Sequence, residues 1–369
     1  DGVMAMSAAR RPPATPAAVR SRAHEQVTKR YPLLGTQPFM PLPAPRGPWP
    51  YRLELADVLP PAALAAIERA GHLRFHSVGD SGGVPDPAPQ YAVAAAMAAE
   101  LGGPDPARFF YHLGDVVYDR GEEAGYPPQF LAPYARYHAP IFAVAGNHDG
   151  ELAADSGVRS LEAFVHHFCA PGAVATPSRR EMCQPHVHWT LRHRWATIAG
   201  LYTNVPDGGR LGEDQIAWLV GELSDAPRDA VLILALHHCL YSTDEIHGSN
   251  LALADLLDGA FARAGRAPDL VLSGHVHSYQ RFSRVYGGRV IPHVVAGTGG
   301  VNNLQEIAPG VPVLPASFEG LPGVTLEACQ DTSWGYLTVT CGPGGAEVSY
   351  RTVAGGVATL FDSFPVRLA

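Results

Sequence analysis

The strongest constraint on this chain is a repeated stop signal: short apolar runs that end abruptly on a small residue followed by a polar one. Residues 73–78 halt at Gly79-Asp80, residues 109–113 at Gly114-Asp115, residues 141–145 at Gly146-Asn147 and residues 270–273 at Gly274-His275, while residues 231–236 run directly into His237-His238. Between these runs, residues 91–101, 129–137, 212–223 and 251–264 carry helical patterning. Alternation of buried strands and helices predicts an α/β fold. In such a fold, loops at the carboxyl ends of strands converge on one place while the strands hold them rigid.

The flanks read differently. Residues 1–50 are rich in Pro, Ala and Arg and end in a proline-dense stretch from Pro41 to Pro50, which predicts an extended N-terminal arm followed by one domain over 51–369. Residues 51–55 read as a strand, 60–70 as a helix and 189–201 as strands. At the other end, 290–296, 335–340 and 347–353 are strand-like with no helices between them, which suggests a second, antiparallel sheet. The Pro/Gly-rich residues 302–331 show no assignable pattern, and 297–300 read as a loop near the site.

Composition excludes several classes of partner. Net charge is −8 with both signs dispersed, so no basic stripe offers itself to a nucleic-acid polymer or an anionic membrane. No uninterrupted apolar run reaches the roughly 18 residues of a membrane span. Five cysteines are too few for a disulfide scaffold. Cys169 and Cys183 could pair across a loop; free thiols in a reducing compartment are the alternative. The first residues lack the apolar run of a secretory signal, which favours a cytoplasmic chain, or a secreted or periplasmic one if a signal has been removed. Oligomeric state is not encoded in any visible pattern.

Taken singly, the motifs are weak. An aspartate after glycine at a strand end is commonly a helix cap or turn residue. Repetition changes this: Asp80 and Asp115 place two carboxylates at neighbouring strand ends, and a carboxylate that bridges two cations offers each oxygen to a different ion, holding them about 3.5–4 Å apart. Tyr118 is either a packing aromatic or a phenolate ligand, the latter only for a strong Lewis acid such as Fe(III). Asn147 offers a neutral oxygen beside His148. On a strand, His237 and His238 would point to opposite faces, so one of them is a ligand, taken as His237. His275 and His277 would face the same side and straddle an ion pair. His138, His166, His167, His186, His188, His193 and His293 belong to no motif and read as structural or surface groups.

With these strings in hand, the chain resembles the calcineurin-like metallophosphoesterases, which carry GDxxD or GDxxN, GNH[DE] and GHxH. It departs from them in that Gly82 stands where a first histidine is usual and Tyr118 replaces the last acid or amide. That exchange resembles the purple acid phosphatases (GDxG, GDxxY, GNH[DE], GHxH), with the order and spacing of all motifs agreeing over residues 75–281. The resemblance implies an αββα sandwich: two mixed β-sheets packed face to face with helices on the outer faces. It implies that Asp80, Asp115, Tyr118 and His277 bind Fe(III), that Asp115 bridges to a second ion, Fe(II), Zn or Mn, held by Asn147, His237 and His275, and that His148 and His247 act as outer-sphere groups. The implied activity is hydrolysis of small phosphate monoesters by hydroxide generated at the ions, with inorganic phosphate as product. A phosphodiesterase of the same fold is the alternative. A scaffold on a decayed phosphoesterase fold would normally have lost ligands. A mononuclear iron oxygenase would leave Tyr118, Asn147 and two histidines unexplained.

Overall fold

The computed structural model describes residues 16–30, 42–169, 182–204, 209–311 and 313–369. In chain order the elements are α1 (Pro16–Val27), β1 (Arg52–Glu54), α2 (Pro61–Ala70), β2 (Leu73–Val78), α3 (Ala88–Glu100), β3 (Phe110–His112), β4 (Ile141–Ala143), the short α4 (Asn147–Gly150) and α5 (Glu162–Phe168). There follow β5 (Trp189–His193), β6 (Ala196–Gly200), α6 (Glu213–Asp225), β7 (Val231–Ala235), α7 (Leu251–Ala264) and β8 (Leu270–Ser273). The chain closes with β9 (Tyr279–Tyr286), β10 (Arg289–Ala296), β11 (Ala316–Ser317), β12 (Val324–Gln330), β13 (Gly335–Gly342), β14 (Gly345–Ala354) and β15 (Val357–Arg367).

These strands form two mixed sheets. A nine-stranded sheet has the order β1-β5-β6-β7-β8-β10-β9-β12-β11, and a six-stranded sheet has the order β15-β14-β13-β2-β3-β4. The alternation of side chains along β7 shows how the layers are made. Val231, Ile233 and Ala235 join the core that also holds Phe75, Phe142 and Val339 of the other sheet, whereas Leu232 and Leu234 join a second core with Trp218 and Leu219 of α6 and Leu257 and Phe261 of α7. Both faces of the strand are therefore dry, which is why its sequence is a continuous apolar run. On the six-stranded side α3 packs against β13 and β14. The expected α/β sandwich of two face-to-face mixed sheets with outer helices is the architecture found.

Three expectations need correcting. Residues 1–50 are not extended throughout, because α1 is a helix whose Ala23 and Val27 are buried. Its proline occupies the first helical position, where the missing N–H costs nothing, and Ala, Arg, Gln and Glu fill the interior. Residues 1–15 and 31–41 of that arm lie outside the described residues. Nor do the C-terminal strands make a sheet of their own: β10 pairs parallel with β8, while β13 adds antiparallel to β2 and carries β14 and β15 beyond it. The tail thus widens both sheets. Segment 129–137, read as helical, is instead a wide helical turn over Pro127–Leu131 followed by turns. No described helix is long and apolar enough to cross a membrane. Cys169 and Cys183 oppose one another in an isolated antiparallel bridge, both as thiols.

Candidate metal centre

Loops leaving the carboxyl ends of β2, β3, β4, β7 and β8 meet at one point. The first two are tied by backbone hydrogen bonds, Asp80 N–H to Gly114 O (2.9 Å) and Ser81 N–H to Asp115 O (3.1 Å). Asp80, Asp115 and His275 all adopt left-handed backbone, with φ of 57°, 52° and 70°. Such conformations in residues with a Cβ cost on the order of 1–3 kcal/mol each and persist where surrounding structure dictates them. Here the flanking strands do so: each fully buried apolar side chain of β2, β3 and β8, such as Val78, Phe110 and Leu272, contributes about 1.5–3 kcal/mol. The backbone must also come close. A Cβ on Gly146 would lie 2.1 Å from Asp115 Oδ1, so no larger residue fits there.

The donor atoms fall into two cages that share Asp115. In the first, the Tyr118 hydroxyl lies 3.1 Å from Asp80 Oδ1, 3.0 Å from Asp115 Oδ2 and 3.3 Å from His277 Nε2. In the second, His237 Nε2 lies 3.1 Å from Asn147 Oδ1 and 3.4 Å from Asp115 Oδ2, and His275 Nδ1 lies 3.0 Å from Asn147 Oδ1. The oxygen and nitrogen atoms of Asp80, Asp115 and His237 lie within 4.8 Å of one another. All three side chains are buried.

Proton counting shows what such cages suit. His277 Nδ1 lies 2.9 Å from Asn303 O, and His237 Nδ1 lies 2.8 Å from Leu113 O. A carbonyl only accepts, so both rings donate there and turn the lone pair of Nε2 into the site, the arrangement that second-shell partners of metal-bound imidazoles produce. The first cage then holds two carboxylate oxygens and one imidazole lone pair around a single phenolic proton. That surplus of acceptors suits a cation. A proton is the rival occupant: burial opposes charge on His237 and His277, but Asp115 beside the first and Asp80 beside the second outweigh it, so both rings are held above the ordinary imidazole pKa. Tyr118 shows the opposite side of the same balance. Burial, with Asp115 and Asp80 adding to it, pushes its pKa well up, so only a strong Lewis acid would draw its proton at neutral pH.

The geometry differs from expectation in two details. Asp115 does not present one oxygen to each cage; Oδ2 faces both, while Oδ1 accepts the His148 backbone N–H at 2.9 Å. A backbone donor claims the second oxygen, and the other must serve both sides. Similarly, His237 and His238 are not separated by strand alternation, since β7 ends at Ala235. His238 instead turns Nδ1 to Thr203 Oγ1 at 2.7 Å and lays its ring 4.4 Å from that of His275, leaving a buried Nε2 with no hydrogen-bond partner.

The structure also explains why Gly82 and Tyr118 occur together. A Cβ at Gly82 would come within 2.7 Å of the Tyr118 ring and 2.6 Å of Gln129 Oε1. An aromatic at 118 leaves no space for a side chain at 82. His148 sits over Tyr118 with ring centroids 4.5 Å apart, and its Nδ1 donates to Asp119 O at 2.7 Å, which puts the lone pair of the neutral ring on Nε2. His247 lies against His275, centroids 4.3 Å apart, with Gln305 Nε2 3.3 Å from its own Nε2.

Several supporting residues carry no sequence signal of their own. Gln129 clamps Tyr118 through both backbone groups, and Gln305 Oε1 accepts the His277 N–H at 3.1 Å. Asp149, the last letter of GNHD, was legible as part of that string. It accepts N–H groups from Gly146 (2.8 Å), Val116 (3.0 Å) and Val117 (3.4 Å), pinning the β3 and β4 loops together. Burial, and then Asp115 nearby, raises its pKa to about 7.

Comparison with known proteins agrees with this geometry. The Calcineurin-like phosphoesterase family matches residues 73–279, more than half of the chain and the loops that leave β2, β3, β4, β7 and β8. The chain belongs to that family. Within it, the chain is similar to purple acid phosphatases: it is 34% identical over 94 residues to Purple acid phosphatase 22 of Arabidopsis thaliana, covering 24% of this chain and 21% of that one. It is 27% identical over 258 residues to Tartrate-resistant acid phosphatase type 5 of Oryctolagus cuniculus, covering 62% of this chain and 73% of that one. The match thus spans about a fifth of the plant relative's length. Among solved structures, the fold is shared with "GAP50 the anchor in the inner membrane complex of Plasmodium" (TM-score 0.57, 16% identity, 81% of this chain and 89% of that one). It is also shared with "Structure of PhoD" (TM-score 0.52, 15% identity, 81% and 70%). As a calcineurin-like phosphoesterase, the chain carries candidate residues for the dinuclear centre of its family.

Proposed function

We propose that this chain is a binuclear phosphatase of the purple acid phosphatase type, hydrolysing phosphate monoesters. The observation that carries the reading is Asp115 Oδ2, which lies 3.0 Å from the Tyr118 hydroxyl and 3.4 Å from His237 Nε2 and so belongs to two acceptor-rich cages at once. Asp80, Asp115, Tyr118 and His277 form a mostly anionic oxygen set suited to Fe(III); Asn147, His237 and His275 with Asp115 form a softer set suited to Fe(II), Zn or Mn. Ions held there would supply a hydroxide nucleophile near neutral pH and neutralise charge on the phosphoryl oxygens.

The chain's own residues do the rest. Asp115 fixes the spacing of the two cages, and the backbone carbonyls of Leu113 and Asn303 hold the His237 and His277 rings in one orientation. His148, with Nδ1 committed to Asp119 O, offers Nε2 to a phosphoryl oxygen or to the departing alcohol. His247, braced between His275 and Gln305, is the second such group. A general acid of this kind contributes about 10² to 10⁴ in rate. Because the same fold serves proteins of different kinds, this reading rests on the site and not on the architecture. The test is a comparison of an aryl phosphate with its bis-aryl diester, using metal-loaded protein. Turnover of the monoester at least about tenfold faster supports the reading, and a preference for the diester overturns it.

A further inference from the structure

Away from the central loops, metal-type side chains converge a second time. Glu123, in the loop that follows Tyr118, meets both histidines of α5: His166 Nδ1 lies 3.1 Å from each carboxylate oxygen, and His167 Nε2 lies 2.9 Å from Oε1. Successive residues on a helix point about 100° apart, so two adjacent imidazoles do not meet on one carboxylate by default. They meet here because His166 uses its near nitrogen and His167 its far one. The His167 ring is held flat on the buried Tyr126 ring, centroids 4.2 Å apart at 16°. One donor atom from each of the three residues falls within a 4.8 Å cluster.

Either protons or a cation can satisfy this cluster. Protonating both rings would set two imidazolium groups 4.9 Å apart against one negative charge. One divalent ion would take all three lone pairs, and two imidazoles with a carboxylate are a donor set preferred by zinc-type ions. Beside the cluster lies a cavity of about 290 Å³ whose lining includes Glu122, Glu123 and Glu162 against the single guanidinium of Arg159. It favours positive charge and leaves room for water in the open coordination positions.

We propose that Glu123, His166 and His167 form a peripheral site for a divalent transition-metal ion of the zinc class, tying the loop after Tyr118 to α5. The site is independent of the reading of the central cages. To test it, the full chain is stripped by chelation and titrated with Zn²⁺ alone, and bound metal is counted for the unaltered chain, His166→Ala, Glu123→Gln and Asp115→Asn. Glu123 and His166 are exposed, so their variants are expected to fold, which melting curves would check. The expected result is that His166→Ala and Glu123→Gln each lose one Zn²⁺ equivalent, or bind it at least about tenfold more weakly, while Asp115→Asn keeps it. Identical Zn²⁺ isotherms for the unaltered chain and the two peripheral variants overturn the proposal. Retention of full metal content by Asp115→Asn alone would count against the central cages and leave this site standing.

Discussion

The two sheets bring different chemistry to the site. The six-stranded sheet supplies oxygen: Asp80 after β2, Asp115 and Tyr118 after β3, and Asn147 after β4. The nine-stranded sheet supplies nitrogen, with His237 after β7 and His275 and His277 after β8. Neither cage is complete within one sheet, since the first takes His277 from the far side and the second takes Asp115 and Asn147 from the near side. Cations at this position would therefore cross-link the two layers. The banks also differ in how they are held. Backbone ties between adjacent parallel strands lock both sides, on the imidazole side through Gly274 N–H to His237 O (3.0 Å), but the imidazole side also leans on a long loop, 242–250, that α1 braces. Ser249 N–H donates to Gln26 O (2.9 Å), Gln26 Nε2 to Glu245 O (2.7 Å) and Lys29 Nζ to His247 O (2.7 Å).

The severest way to break the comparison is to remove the one atom common to both cages. Asp115→Asn should lower kcat/KM by on the order of 10³-fold or more and weaken both ions, read by activity together with metal content. Loss of one ion only would show that the cages are independent. Next in size is His148→Ala, which should keep both ions and lower kcat by about 10² to 10⁴. Tyr118→Phe sharpens the assignment of the oxygen bank: a phenolate on Fe(III) gives a visible charge-transfer band, and the variant should lose it. A colourless, iron-free and active parent protein would contradict that assignment.

On the imidazole side, removing residues 1–30 should perturb His247 without touching any ligand. The expected effect is roughly tenfold on kcat/KM with metal content unchanged. An unaffected rate would mean that the loop holds its shape alone. The smallest effect concerns stability far from the site. Burial opposes charge on Glu100, but hydrogen bonds from His76, Tyr336 and Arg74 outweigh it and lower its pKa from 4.5 to about 2. A depressed carboxylate stabilises the fold above its unfolded pKa, and that contribution fades as pH falls from about 4.5 to about 2. Glu100→Gln should accordingly lower stability by roughly 1–3 kcal/mol at pH 6 and by much less near pH 2, measured as melting temperature against pH.

Legibility in the sequence followed the same division. The oxygen bank was readable because tight backbone approach demands glycine, and glycine beside aspartate at a strand end leaves a mark in the string. The buried strands β7 and β8 were readable because both faces are dry. Strand β15 was not, because most of its residues are exposed at a sheet edge and its apolar pattern is weak. Strand β9 was hidden by arginines and serines whose partners, such as Asp362 for Arg281 and Asp258 for Arg284, lie far away in the chain. Helix α1 was hard to read because, among its described side chains, only Ala23 and Val27 are buried, too few to make a helical stripe. Likewise, the sharing of Asp115 Oδ2 by both cages depends on a hydrogen bond from His148 N–H, and no spacing rule encodes that.

The central claim is best tested by crystals of metal-loaded protein and anomalous difference density at the absorption edges of iron and zinc. The account predicts two peaks about 3.5–4 Å apart flanking Asp115 Oδ2, one beside Tyr118 and His277 and the other beside Asn147, His237 and His275. A single peak, or two that leave Asp115 uncoordinated, would contradict it.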